Sequence, residues 1–200
     1  HLLWEAACLL AWTLLGGLQA LITLIVANLG NTLWSALLLM GAVGWIQSLL
    51  DAPLAYWRTF KLEARFGFNR SSLGLWVSDL IKGWVLGAVM MAPLAAAVLW
   101  LMDRSGGLWW LWAWAVWVGF SLLMMVIYPT WIAPRFNRFE PLQDQGLQAA
   151  ITGLMQRCGF AAKGLFVMDG SKRSAHANAY FTGLGKSKRV VFFDTLMQRL

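Results

Sequence analysis

Apolar residues fill the first two thirds of the chain in long uninterrupted runs. Four of these, about 2–26, 33–50, 73–102 and 108–127, are long enough to cross a bilayer as helices, which takes roughly 20 residues each. Between the second and third runs the spacing turns amphipathic. Over 54–66, Tyr56, Trp57, Phe60 and Ala64 share one helical side and Arg58, Lys61 and Arg65 another, which predicts a helix lying flat at the membrane interface within a loop 51–72. After Tyr128 the runs shorten. Leu147, Ala150, Ile151 and Leu154 fall on one face of a predicted helix over 143–157, with Gly159 suited to its C-terminal cap. Residues 164–168 read as a short buried strand and Asp169-Gly170-Ser171 as a turn. Residues 176–181 and 190–193 read as two strands joined through 183–188, and Asp194-Thr195 as the start of a further helix. The predicted fold is mainly α: a polytopic membrane protein with four transmembrane helices over 1–127, followed from 128 by the start of an α+β domain.

Composition agrees with that pattern. Of the 200 residues, 60% are hydrophobic and 12% charged, and a soluble protein with four buried helices would need far more polar chain to cover them. The loop 51–72 carries Arg58, Lys61, Arg65 and Arg70, whereas 27–32 carries no Lys or Arg and 103–107 only Arg104. The positive-inside rule then puts 51–72 and everything after Tyr128 in the cytoplasm. His1 is no initiator methionine, the first run lacks the flanks of a signal peptide, and the last helix has barely begun at Leu200. The expectation is an internal fragment or the ordered part of a longer protein.

Several features take two readings. The net charge of +7 is either a basic face for anionic lipid or substrate, or the ordinary bias of chain beside a membrane; nothing in it suggests a nucleic-acid partner. Asp79 and Lys82, three apart on one helical face, are a site in a water-filled cavity or a snorkelling pair. The tryptophans at 109, 110, 112, 114 and 117 suit an aromatic belt. Cys8 and Cys158 fall in different compartments, so no disulfide is expected.

Three separated stretches carry a resemblance. They are Glu63-Ala-Arg-Phe-Gly-Phe-Asn69, the run from Tyr128 to Leu142 (YPTWIAPRFNRFEPL), and the block from Asp169 to Leu196 (DGSKRSAHANAYFTGLGKSKRVVFFDTL). In order and in distance from the spans they resemble the membrane-embedded CAAX prenyl proteases, zinc metallopeptidases. The resemblance implies that 128–200 is the N-terminal part of a cytoplasmic zinc-peptidase domain packed against helices that enclose a chamber. It implies zinc as cofactor and a lipid bilayer as surroundings. The substrate it implies is a peptide or protein, prenylated or otherwise membrane-associated; for a bacterial source it implies quality control of membrane proteins instead. No His-Glu-x-x-His occurs in the chain. The expectation is that this helix follows Leu200, so that neither catalytic residues nor zinc ligands lie within 1–200.

What these residues offer is substrate binding. Alternation sends His176, Asn178 and Tyr180 to one side of a strand and Ala177, Ala179 and Phe181 to the other. By pattern alone this is a plain hairpin with its polar face in water. It also resembles the substrate-binding edge of thermolysin-like peptidases, which implies that the Asn178 side chain and the Ala179 backbone grip an extended peptide, that Tyr180 lines the pocket, and that His176 steadies the substrate carbonyl. Lys172, Arg173, Lys186, Lys188 and Arg189 flank the strands and read either as attractors of a substrate carboxylate or as solvated charges. Two functions follow: part of a membrane zinc endopeptidase, or a non-catalytic membrane scaffold without zinc.

Overall fold

The computed structural model describes residues 2–160, 162–183 and 188–198. Lys186, and most of the expected turn between the last two strands, lie outside them.

The first expected span is broken. Helices α1 (Leu2–Thr13) and α2 (Gly17–Leu29) are joined by a 46° bend. Gly16 stands at the bend with φ +77, a left-handed conformation that glycine adopts without the Cβ penalty of other residues. At about 1.5 Å per residue neither helix alone crosses a 30 Å hydrocarbon layer, so the pair counts as one broken span or as none.

Helix α3 (Leu33–Trp57) opens on a reciprocal cap, Ser35 N–H donating to Thr32 Oγ1 at 3.2 Å and Thr32 N–H to Ser35 Oγ at 2.9 Å. It does not stop near 50. It runs on through Pro53 and a π-helical stretch, Arg58–Glu63, as one 31-residue helix from Leu33 to Glu63. The amphipathic segment expected to lie flat therefore continues the same helix. A proline removes a single ladder bond, and π turns absorb such local misfits. The chain leaves the helical path only at Gly67, φ +71, where Phe68 N–H returns to Glu63 C=O at 2.9 Å. Two more long apolar helices follow: α4 (Leu73–Arg104), and α5 (Trp109–Ile127) extended by a π turn over Tyr128–Ile132 and a 3₁₀ turn over Ala133–Arg135. The described residues thus contain three helices long and apolar enough to cross a membrane, or four with the bent pair. The protein is a multi-pass membrane protein.

Two compact units form, His1–Trp57 with Leu80–Trp117, and Arg58–Asp79 with Val118–Leu200. In the first, indole N–H groups satisfy polar side chains carried on apolar helices. Trp12 donates to Gln47 Oε1 at 3.0 Å, Trp4 to Asp51 Oδ1 at 2.9 Å and Trp84 to Ser48 Oγ at 2.7 Å. Polar groups at membrane depth need such partners, because lipid offers none. Glycines on α3 (Gly41, Gly44) and α4 (Gly83, Gly87) help to line an apolar cavity of about 700 Å³, beside Trp45 and Trp84. Its lining contains no titratable side chain.

The second unit holds a four-stranded sheet in the order β1-β2-β4-β3. β1 (Phe139–Pro141), too short to stand out in the sequence pattern, is antiparallel to β2 (Leu165–Met168). β2 is parallel to β4 (Arg189–Phe193), and β3 (Ala179–Thr182) is antiparallel to β4. Leu142, Leu165, Met168 and Val191 are buried, with Val191 in an inner strand fully so. Between β1 and β2 lies α6 (Gln145–Arg157), capped by Asp144 accepting from Leu147 N–H at 2.9 Å. Its apolar face stays partly uncovered; Leu154 is 53% exposed. A last turn of helix, α7 (Asp194–Met197), follows β4 directly.

Candidate functional site

The residues singled out by alternation do not form one strand. β3 begins at Ala179, three residues later than the pattern predicts. The preceding segment pairs elsewhere: Ser174 bridges Asn69, Arg70 N–H donates to Arg173 C=O at 3.1 Å, and Ala175 N–H to Phe68 C=O at 2.9 Å. The His176 ring stacks on Phe68, centroids 4.1 Å apart and planes 21° from parallel. Phe66 to Asn69, one of the stretches that carried the resemblance, is thus the wall on which this lead-in rests. His176 is drawn toward it.

The sheet places β3 at its edge. The register sets which of its backbone groups are open. Phe193 N–H donates to Asn178 C=O at 2.9 Å, so 178 and 193 form a hydrogen-bonded pair, and parity makes Tyr180↔Val191 the next. Ala179 and Phe181 occupy the intervening non-hydrogen-bonded positions, and their N–H and C=O groups point away from β4 toward the open edge. One of these is already engaged: Ala179 N–H donates to Asn178 Oδ1 at 2.8 Å. Asn178 and Ala179 are therefore joined at the head of the edge. Phe181 is 71% exposed, with Phe160 edge-on at 5.7 Å.

Tyr180 turns to the opposite face. Its hydroxyl lies 3.8 Å from Met168 Sδ and its ring meets Phe193 edge-on at 6.2 Å. Burial pushes the phenol above its usual pKa, the neighbouring Tyr128 adds to this, and Arg189 opposes it. Tyr180 is consequently a neutral group packed on the sheet.

The four described flanking cations, read in the sequence as carboxylate attractors or solvated charges, each have a partner within the protein. Lys172 pairs with Asp169, Lys188 lies 5.2 Å from the Phe160 ring centroid, and Arg189 donates to Pro129 C=O at 3.1 Å. Arg173 is the most connected. Its Nε and Nη2 reach Asp79 Oδ2 and Oδ1 at 2.8 and 3.1 Å, Nη1 reaches Asn137 Oδ1 at 2.7 Å, and Nη2 also reaches Phe136 C=O at 2.7 Å. The sequence offered Lys82 as a neighbour of Asp79 on one helix; the two-pronged partner stands 94 residues away. An acidic residue in an apolar helix signals that a cation is needed, but not which one.

The donor set does not fit a zinc ion. Among the described residues no three His, Cys, Asp or Glu side chains cluster as a site would require. Asp169 accepts from Arg138 N–H at 2.7 Å, and Asp194 from the N–H groups of Ser171 and Thr195, both at 2.8 Å. These carboxylates are engaged by main-chain N–H groups.

Comparison with known proteins bears on the whole chain. Residues 1–138 match the family described as CAAX prenyl protease N-terminal, five membrane helices, and residues 141–200 match peptidase family M48. A CAAX prenyl protease 1 homolog of Arabidopsis thaliana is 41% identical over 161 residues, covering 80% of this chain and 38% of the relative. CAAX prenyl protease 1 of Saccharomyces cerevisiae is 41% identical over 170 residues, covering 84% of this chain and 37% of the relative. The crystal structure of S. mikatae Ste24p superposes with a TM-score of 0.89 at 34% identity, over 98% of this chain and 47% of that one. The chain thus spans about two fifths of the length of these curated relatives.

Proposed function

The chain belongs to the CAAX prenyl protease family, and from that premise we propose that it supplies the membrane spans and the substrate-holding edge of an integral-membrane zinc metalloendopeptidase. On this reading 1–127 is the transmembrane region and 128–200 opens the peptidase domain. The zinc ligands come from the family's His-Glu-x-x-His helix and not from these residues. The substrates are proteins at the membrane, prenylated ones among them.

The observation that carries the reading is the open edge of β3. Three main-chain groups without a partner among the described residues, Ala179 C=O and the N–H and C=O of Phe181, point outward at strand spacing, and Asn178 holds the fourth. An extended peptide added alongside would make main-chain hydrogen bonds that fix its register. In the full-length protein, Asn178→Ala should lower kcat/KM by about one to two factors of ten, since a hydrogen bond lost beneath bound substrate costs about 1–3 kcal/mol. Zinc content and melting temperature should stay at wild-type values. Full activity on an extended peptide would remove Asn178 from the site.

The sidedness belongs to the same proposal. Phe68–Arg70 and Arg173–Ala175 hydrogen-bond to each other, which supports placing them on one side of the membrane, and the Lys/Arg bias makes that side cytoplasmic. A cysteine at Ser72 and the native, exposed Cys158 should react with an impermeant maleimide from the same side, and a cysteine at Asn31 from the other. Labelling of Ser72→Cys and Cys158 from opposite faces would overturn the topology.

A further inference from the structure

Resting on that edge reading, we infer that Arg173 is a positioning residue for the peptide-accepting strand, held to the task by Asp79. The guanidinium takes four acceptors from two segments distant in sequence: both Asp79 oxygens on α4, and Asn137 Oδ1 and Phe136 C=O ahead of β1. From Arg173 the chain stays pinned residue by residue. Its C=O receives Arg70 N–H, Ser174 bridges Asn69, Ala175 N–H reaches Phe68 C=O, and His176 stacks on Phe68. Two residues later Asn178 caps Ala179 and the open edge begins. Only Ala177 separates the last of these contacts from Asn178, so the placement of β3 along its own axis is referred back to Arg173.

The chemistry of the clamp is specific to arginine. A planar fork satisfies a carboxylate with two parallel bonds and keeps a donor for each remaining acceptor, whereas an ammonium is a point charge with one centre. Both side chains are about a quarter exposed, Arg173 24% and Asp79 23%, which limits screening by solvent. Loosening the clamp lets the lead-in shift, and a strand that shifts carries its peptide partner with it; in sheets a slip of one residue moves every side chain to the other face. The signature is therefore the position of the cut, not only its rate.

The test uses the full-length enzyme and an extended peptide, with products read by mass spectrometry. Arg173→Lys and Asp79→Asn should each raise KM, lower kcat/KM by about ten- to a hundredfold, and spread cleavage to a neighbouring bond, while Asp79→Glu recovers part of the loss. Should Arg173→Lys fail to accumulate, the isosteric Asp79→Asn carries the comparison. Variants that cut the wild-type bond with wild-type KM, whatever their stability, show a purely structural ion pair and overturn the inference. Ala179→Pro run in parallel separates the two failures. If it abolishes turnover while the clamp variants are silent, the edge stands and the clamp falls; if it is silent, the edge reading falls and takes this inference with it.

Discussion

Purified chain 1–200 should retain no stoichiometric zinc after dialysis and should cleave no peptide, while the full-length protein holds one zinc and cuts. The expected contrast is all or none. A zinc peptidase site needs three protein ligands converging on one point, with a fourth position left for water. Here the one described imidazole, His176, lies flat against Phe68, and the nearby carboxylates Asp169 and Asp194 accept from main-chain N–H groups of Arg138, Ser171 and Thr195. Recruiting them to a metal would strip the N–H groups of Arg138, Ser171 and Thr195 of their acceptors together. Metal analysis after dialysis reads the result directly. One tightly held zinc per chain would show that these residues rearrange into a site, and would move the metal centre into 1–200. A full-length protein equally devoid of zinc would favour a membrane scaffold over an enzyme.

Much of the fold was legible from local pattern, and the exceptions have two physical causes, tertiary pairing and backbone geometry. The long apolar helices follow from hydropathy and length, and β2 and β4 from short β-branched and aromatic runs closed by turn residues. The helix over 143–157 appears as α6, with Asp144 as its cap. Where the strand reading departed, tertiary contact outweighed local signal. Alternation across 176–181 is as regular before Ala179 as after it, yet 174–176 pairs with the Phe68–Arg70 segment a hundred residues earlier, and the strand starts late. The helix expected to end near 50 continues because neither Pro53 nor the charged residues after it stops a helix that can widen into a π turn; Gly67 does. The break at Gly16 sits in an apolar run where Gly16-Gly17 is tolerated by hydropathy but not by backbone geometry.

The candidate site was legible in its residues more than in its wiring. Asn178 and Ala179 stand where the edge strand begins, three residues later than the pattern predicts. Tyr180 and His176 leave that group, one to the sheet face and the other to Phe68. The Arg173–Asp79 pair was invisible to any rule of spacing, since a salt bridge across 94 residues is specified by the fold and not by either neighbourhood. Electrostatic partners of this kind become readable only once the elements that carry them are placed.

Ala179→Pro should reduce peptide turnover of the full-length enzyme by about a hundredfold or more while leaving the protein folded. Both halves follow from the register. Ala179 is a non-hydrogen-bonded partner of Phe192, so its N–H faces the open edge, and losing it breaks no bond between β3 and β4. Proline is tolerated at such edge positions. It nevertheless puts Cδ where the N–H was, leaves Asn178 Oδ1 without its donor, and holds an incoming strand off the ~4.8 Å spacing that main-chain pairing requires. Tyr180→Pro is the control. Tyr180 belongs to a hydrogen-bonded pair with Val191, the fully buried residue of β4, so the substitution removes a ladder bond and should lower the melting temperature along with activity. Turnover and thermal melts on the two variants read the outcome. Loss of activity without loss of stability at 179, and loss of both at 180, is the pattern expected of a substrate-bearing edge. Wild-type turnover in Ala179→Pro would show that no peptide lies along β3, and would reduce the hairpin to scaffold.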